Sequence, residues 1–349
     1  MIKIDGSYLE GGGQILRTAT SLSAILKKPC YIFNIRKKRK NPGLALGHLF
    51  ALRALARLCN GKLEGDVLES QEIYFYPKEI TRSEISIYLE TASSITLILQ
   101  NLIPPALFSP KKITLKFFGG ATDTYFSPTL DYFRYVFLEF LKKLDLKFNL
   151  EVMKRGFYPK GGAKLEIEIF PQKILRGINL EKRGKLKKIT IISGASESLK
   201  KRKVSERQLN SAKEIILKNI KNLPKVEERI EYYQTLGKGS QINIIGEFEN
   251  TFLGADNLGK LNKPAEVVGK EVALKFLEEY RSEASLDSHL ADQILIYLAL
   301  SKNPSKVTVS KITSHFKTNL WVIQKFLPIQ FEIKKTSKNF LFKIIPPLY

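Results

Sequence analysis

One order of helices and strands recurs three times along this chain, and that repeat limits its fold more than any other feature. In the first copy, Ile15, Ala19, Leu22 and Leu26 share a helical face, the segment stops at Pro29, and "CYIFNI" follows as a strand. After "NPG" a second helix puts Leu49, Leu52, Ala56 and Cys59 on one face, with Gly61 as its expected C-terminal cap. "EIYFYP" closes the unit as a strand. The second copy reads "TASSITLILQNLI" as helix, "KITLKFF" as strand, "SPTLDYFRYVFLEFLKKL" as helix, then "LKFNLEVM" and "AKLEIEIF" as strands. The third reads "HLADQILIYLAL", "KVTVSKI", "TSHFKTNLWVIQKFL", "IQFEIKK" and "NFLFKII" in the same order.

The first helices of the copies are expected near Thr18, Thr91 and Ala291, and the second interval is much the longer. An insertion of roughly 100 residues in the third unit accounts for the difference. The expected class is therefore α+β (mixed α/β). Three repeated helix/strand units form a large domain, residues 1–178 plus 281–349, and a smaller α/β domain, residues 179–280, is inserted in the third. The insertion carries the basic runs "EKRGKLKK" and "LKKRK" and the helix "SERQLNSAKEIILKNI".

Composition narrows the function classes. The 57 Lys and Arg against 34 Asp and Glu leave a formal charge of +23, which points to a polyanionic partner. A lysine-rich, heat-adapted surface is the competing explanation, but such surfaces balance Lys with Glu and this one does not. No apolar run reaches the roughly 18 residues of a membrane helix, so no membrane partner is expected. "MIKIDGS" lacks the features of a secretory signal. Cys30 and Cys59 lie among apolar residues without a metal-ligand spacing, so reduced thiols and a cytoplasmic location are expected.

Few residues are suited to chemistry. The three histidines, His48, His289 and His315, all fall at expected helix starts, and Asp131 lies close to the equivalent place in unit two. Helix N-termini present free N–H groups and partial positive charge, which suit anionic ligands, although a histidine there can equally be a simple surface residue. Glycines cluster at Gly11 to Gly13, Gly119-Gly120 and Gly161-Gly162. Such residues let backbone approach a phosphate closely, and they also make ordinary turns. The first cluster is not a Walker A loop, which requires a lysine after its last glycine. It offers Glu10 as a metal ligand and Arg17 as a phosphate clamp. Arg36 and Arg39, in "IRKKRKNPGL", read either as a solvated charge run or as phosphate contacts.

The ordered set "DGSYLEGGGQILRTA", "NIRKKRKNPGL", "TLILQ", "RGFYPKGGA", "HLADQ" and "TSHFKTN" resembles the RNA 3′-terminal phosphate cyclase family along essentially the whole chain. The resemblance implies three repeated α/β units with an inserted small domain. It also implies ATP as co-substrate, a divalent metal, Mg or Mn, and RNA with a 3′-phosphate end as partner. A histidine takes AMP from ATP, AMP passes to the RNA 3′-phosphate, and the 2′-hydroxyl then closes a 2′,3′-cyclic phosphodiester.

Carried over by motif, His315 is the adenylated residue, Glu10 the carboxylate near metal and triphosphate, and Arg17 a triphosphate contact. Gln100 is a nucleotide-binding glutamine. His289, Leu290, Ala291, Asp292 and Gln293 form the nucleotide-binding stretch, with His289 stacking on adenine opposite Pro128. Arg36, Arg39 and His48 face phosphates near the reaction centre. The chain departs from the family pattern at Leu9, Gly47, Glu90, Ser93, Ala163 and His289, but keeps the nucleophile. Three alternatives remain at this level. One is a non-catalytic cyclase-like RNA-binding protein of ribosome assembly, a branch without the nucleophilic histidine. The others are an RNA-binding module and, by analogy of repeats alone, transfer chemistry of the EPSP synthase type.

Overall fold

A computed structural model of the chain describes residues 1–347. Unit one runs β1 (Ile2–Asp5), α1 (Gln14–Leu26), β2 (Cys30–Phe33), α2 (Leu46–Leu58), β3 (Lys62–Glu64) and β4 (Ile73–Tyr76). Unit two runs β5 (Glu84–Ser94), α3 (Ile95–Leu107), β6 (Ile113–Ala121), α4 (Leu130–Tyr132), a π-helical stretch Phe133–Leu138, α5 (Glu139–Lys143), β7 (Phe148–Lys154) and β8 (Lys164–Ile169). Then come β9 (Asn179–Leu180), β10 (Leu186–Ser196), a 3-10 segment Glu197–Arg202, α6 (Val204–Asn219), β11 (Lys225–Tyr233), β12 (Ser240–Phe248), β13 (Phe252–Leu258) and α7 (Ala265–Arg281). The chain closes with α8 (Ser288–Ala299), β14 (Ser305–Val309), α9 (Ser314–Phe326), β15 (Gln330–Lys335) and β16 (Phe340–Ile345). The mixed α+β class expected from the repeats is the class observed.

Three of the four sheets share one topology. Their orders are β1-β2-β4-β3, β5-β6-β8-β7 and β9-β14-β16-β15. In each, the first two strands are parallel across a helical crossover, and the last two return antiparallel. The fourth sheet, β11-β10-β12-β13, carries α6 and α7 and has a hydrophobic core separate from that of the three repeats. Its residues leave the chain between β9 and α8, the place filled in unit one by the glycine-rich loop between β1 and α1. Asn179 and Leu180, expected at the start of the insertion, pair in parallel with β14 and so are strand residues of the third sheet.

Two further expectations shift. Thr91 to Ser94, expected to open a helix, extend β5, and α3 begins only at Ile95, where the Ser94 hydroxyl accepts from Leu97 N. At the end of α2 the left-handed residue is Asn60 (φ 48°), with Gly61 N reaching back to Ala56 O. Asparagine tolerates that conformation because its short polar side chain bonds locally. The helices line the large core: α1 packs on α3 and α9, and α8 on α3 and α9. This brings the N-termini of α1, α8 and α9 to one side. Among the described residues no helix is long and apolar enough to cross a membrane.

Candidate active site

A cleft of about 390 Å³ opens where these helix ends meet. Arg17, Gln100, Pro128, His289, Asp292, Gln293 and His315 line it, from all three units. Asp256 and Lys275 of the inserted unit complete its wall. Leu290 and Ala291, expected beside them, are instead fully buried in the core. Helical period explains this: His289, Asp292 and Gln293 share the cleft face of α8, and the two intervening residues point behind it.

The glycine loop lies beside the cleft, with Gly12 close to His315 and Arg39. Gly11 adopts φ +57°, and a Cβ on Gly13 would stand 2.1 Å from Nε2 of His48. Leu9 also lies in the left-handed region, at φ 50°, where a non-glycine residue costs about 1–2 kcal/mol. No side chain caps α1 and its first turn holds no acid; Ile15 N bonds back to Gly12 O, while the N–H groups of Gln14 and Leu16 remain open toward the loop. Tyr8 stacks on Trp321 of α9 with ring centroids 4.0 Å apart, tying the loop to the helix that bears His315. Gln14 Nε2 donates to His315 O at 2.9 Å, a second tie between the same elements. Gly119, Gly120 and Gly161 pack against Leu89, one another and β5 rather than facing the cleft.

His315 Nδ1 lies 2.6 Å from Glu10 Oε1. The approach is close but not aligned as a hydrogen bond, so this buried carboxylate oxygen has no hydrogen-bond partner. Arg39 reaches the other oxygen of Glu10 at 3.5 Å. Although its ring is about half exposed, partial desolvation lowers the His315 pKa below that of a free imidazole; Glu10 opposes this, while Arg17, His289 and Arg39 reinforce it. Arg17 is the most telling group. Burial pushes its pKa down to about 10, and no carboxylate pairs with it among the described residues. An uncompensated cation beside open helix N–H groups is poised for an anion.

The remaining basic residues divide. Arg36, itself left-handed at φ 52°, donates to Gly43 O at 2.9 Å and so braces its own loop. Its pKa is lowered by burial and by Arg39. His48 Nδ1 accepts from Ala45 N at 3.2 Å, and burial, followed by Arg17 and Arg36, pushes its pKa down to about 3. It is a neutral ring wedged against Gly13. Asp131, the unit-two counterpart of these histidines, is buried in an ion pair with Arg155 at 2.5 Å.

Around the cleft runs a network that periodicity alone did not single out. Thr313, the N-cap of α9, accepts from Phe316 N and donates to Asp292 Oδ1 at 2.7 Å. Asn319 donates to Asp292 O at 2.9 Å and accepts from Thr18 at 2.8 Å. Gln100 donates to Gln293 at 2.9 Å, which in turn bonds His289 O. Asp287 caps α8 and accepts from Tyr132 at 2.7 Å. The cap signal of Thr313 in "TSHF" was available in the sequence; its partner Asp292 was not, because the two meet only after folding.

A family model described as RNA 3′-terminal phosphate cyclase matches residues 8–333. Curated proteins of that name are similar over nearly their whole lengths. The one from Pyrobaculum neutrophilum is 37% identical over 98% of both chains, and that from Sulfurisphaera tokodaii 40% identical over 98% of both. The one from Pyrococcus abyssi is 41% identical over 95% of both. A solved EPSP synthase from Acinetobacter baumannii matches 99% of this chain and 65% of its own, at 10% identity and a TM-score of 0.32, too loose a likeness to carry an argument. Motifs in order, a thrice-repeated topology and full-length relatives converge: this chain belongs to the RNA 3′-terminal phosphate cyclase family.

Proposed function

We propose that this protein converts an RNA 3′-terminal phosphate to a 2′,3′-cyclic phosphodiester at the expense of ATP, through His315. The observation that carries the reading is the pairing of an unpartnered Arg17 with a neutral His315 whose Nδ1 is turned toward Glu10. With Nδ1 on the Glu10 side of the ring, Nε2 is the nitrogen left to attack. It forms a P–N bond to the α-phosphorus while the bond to the pyrophosphate oxygen breaks. A 3′-phosphate oxygen of RNA then displaces the histidine, and the adjacent 2′-hydroxyl finally attacks the 3′-phosphorus and releases AMP.

Each residue has a distinct task. Arg17 and the open N–H groups of α1 hold the triphosphate and stabilise charge on the departing pyrophosphate. His289 and Pro128 flank the base, and Gln100, Asp292 and Gln293 bond the nucleoside or hold one another in place. Arg39 remains available to the RNA phosphate beside Glu10. His48 and Arg36 act less directly, by shaping the loops on which Glu10 and Arg39 stand.

A divalent ion, Mg or Mn, fits the donor set. Glu10 supplies a carboxylate whose Oε1 is not hydrogen-bonded although His315 Nδ1 lies close to it, and no group of three or more His, Cys, Asp or Glu suited to a metal occurs among the described residues. Magnesium commonly binds through one or two carboxylates with substrate phosphates and water completing its shell. Bound there, it supplies neutralisation of triphosphate charge. A reducing, cytoplasmic setting belongs to the same reading: Cys30 and Cys59 are buried free thiols, and burial pushes Cys30 up to about 12.

Incubation with α-labelled ATP and a divalent ion tests the proposal. Covalent label lost under acid but kept under base, as a phosphoramidate requires, is expected, followed by cyclisation of added 3′-phosphorylated RNA. Absence of both label and cyclic product would leave a non-catalytic RNA-binding role as the better reading.

A further inference from the structure

Phe126 stands out from every other aromatic residue. It is wholly solvent-exposed, and its backbone lies at φ +62°, a region that bulky residues enter only at a cost. It stands on the lip of the cleft, two residues before Pro128. Neither hydrophobic burial nor local backbone preference accounts for it, so the conformation is held by its surroundings.

Those surroundings come from loops of two different units. Tyr125, beside it, fixes its hydroxyl on Gly259 O at 2.9 Å. The Tyr125 ring meets that of Tyr158 edge-on, with centroids 5.6 Å apart, and Tyr158 is half-exposed. Tyr158 N bonds back to Asp123 O, which registers its loop against the one that carries Phe126. Lysines flank the group. Lys160 follows Tyr158 by two residues and packs against Gly237, next to the exposed Lys238; Lys260 follows the carbonyl that anchors Tyr125.

Exposed rings interleaved with lysines form the surface that single-stranded nucleic acid uses: bases stack on the rings and phosphates meet the cations. We infer that Phe126 and Tyr158, braced by Tyr125, form a stacking platform for the unpaired bases of RNA just upstream of its reacting 3′ end. Charge complementarity and continuity with the cleft favour RNA as the occupant, and the inference rests on the cyclase reading given above. The platform is blind to base identity, since every base offers a flat face. It makes the enzyme prefer a flexible single strand of several nucleotides over a mononucleotide or a fully paired end.

The test measures affinity for a short single-stranded RNA bearing a 3′-phosphate, by titration without ATP, alongside protein–AMP formation without RNA. Tyr158→Ala and Phe126→Gly should each weaken RNA binding on the order of tenfold, the usual scale for one stacked base. Phe126→Trp should restore it. Phe126→Gly should also raise the Tm, because glycine accepts a positive φ without strain, so lost binding cannot be ascribed to misfolding. Tyr158→Ala should form protein–AMP at the parental rate. Unchanged RNA affinity in both variants overturns the platform, as does a loss equally large for a nucleoside 3′-phosphate. If the parent binds RNA through these rings but forms no protein–AMP, the platform stands and the cyclase reading fails.

Discussion

Nδ1 of His315, on the second helix of unit three, faces Oε1 of Glu10, on the glycine loop of unit one, across 2.6 Å. Two of the three repeats thus meet at one imidazole, and each half can be tested alone. His315→Ala should reduce covalent label from α-labelled ATP to background while leaving RNA affinity within about twofold. His289→Ala should weaken ATP binding and still accept some label. A normal adduct yield in His315→Ala would show that another residue is the nucleophile.

The same pair makes the acid limb of the adenylation step diagnostic. If His315 attacks ATP as proposed, its ring must be neutral, and its pKa lies below the ordinary imidazole value because desolvation disfavours the charged ring. The rate should therefore hold as pH falls through about 6.5 and drop only below it. Glu10 raises this pKa, so Glu10→Gln should move the limb to still lower pH while reducing the plateau. A pH–rate profile of single-turnover label formation reads both, and a limb that moves upward contradicts the assignment.

Arg17 is a half-buried cation on the cleft wall without a carboxylate partner among the described residues, so removing it should help the ligand-free fold. Arg17→Met should raise the Tm by about 1–2 °C, the shift that roughly 1 kcal/mol produces in a chain this long. The extra stabilisation that parental protein gains from ATP should largely vanish. Protein–AMP formation should fall more than closure of RNA already carrying a 3′-adenylate. Equal loss in both steps would assign Arg17 a general structural role.

Asp292 couples the cleft to global stability. Burial, reinforced by Asp287, Glu10 and Glu279, pushes its pKa up to about 8, and Asp287 is pushed to about 6. A folded-state pKa above the unfolded value means that the native state binds more protons across that window. Stability should accordingly fall as pH rises from about 4 to 8. Asp292→Asn keeps an oxygen to accept from Thr313 and removes the titration, so its Tm should fall less than the parent's over the same range. Parallel Tm curves would show that Asp292 is not the titrating group.

His48 and Gly13 should behave as a coupled pair. A Cβ on residue 13 has nowhere to go while the imidazole is present. Gly13→Ala should cost about 1–3 kcal/mol, and most of that cost should disappear in the His48→Ala background. Thermal denaturation of the four proteins measures this directly. Simple additivity would mean that the loop yields without the ring.

How much of this was readable before folding follows from what each feature depends on. The repeat, the mixed class, the insertion in unit three and the family motifs are local patterns, and apolar spacing together with cap residues is enough to display them. Local patterning also placed His315 and His289 at helix starts. It could not tell which face of α8 would turn to the cleft, and so Leu290 and Ala291 were grouped with ligands although they pack into the core. Nor could it show that Arg36 braces Gly43, that His48 is neutral against Gly13, or that Thr313 finds Asp292. Those facts depend on pairs of residues far apart in the chain, whose burial and charge take effect only once the sheets and helices have packed. Sequence determined the units and the chemical groups they carry; tertiary packing alone decided which groups lost water, which found partners, and which, like Arg17 and Phe126, were left without one.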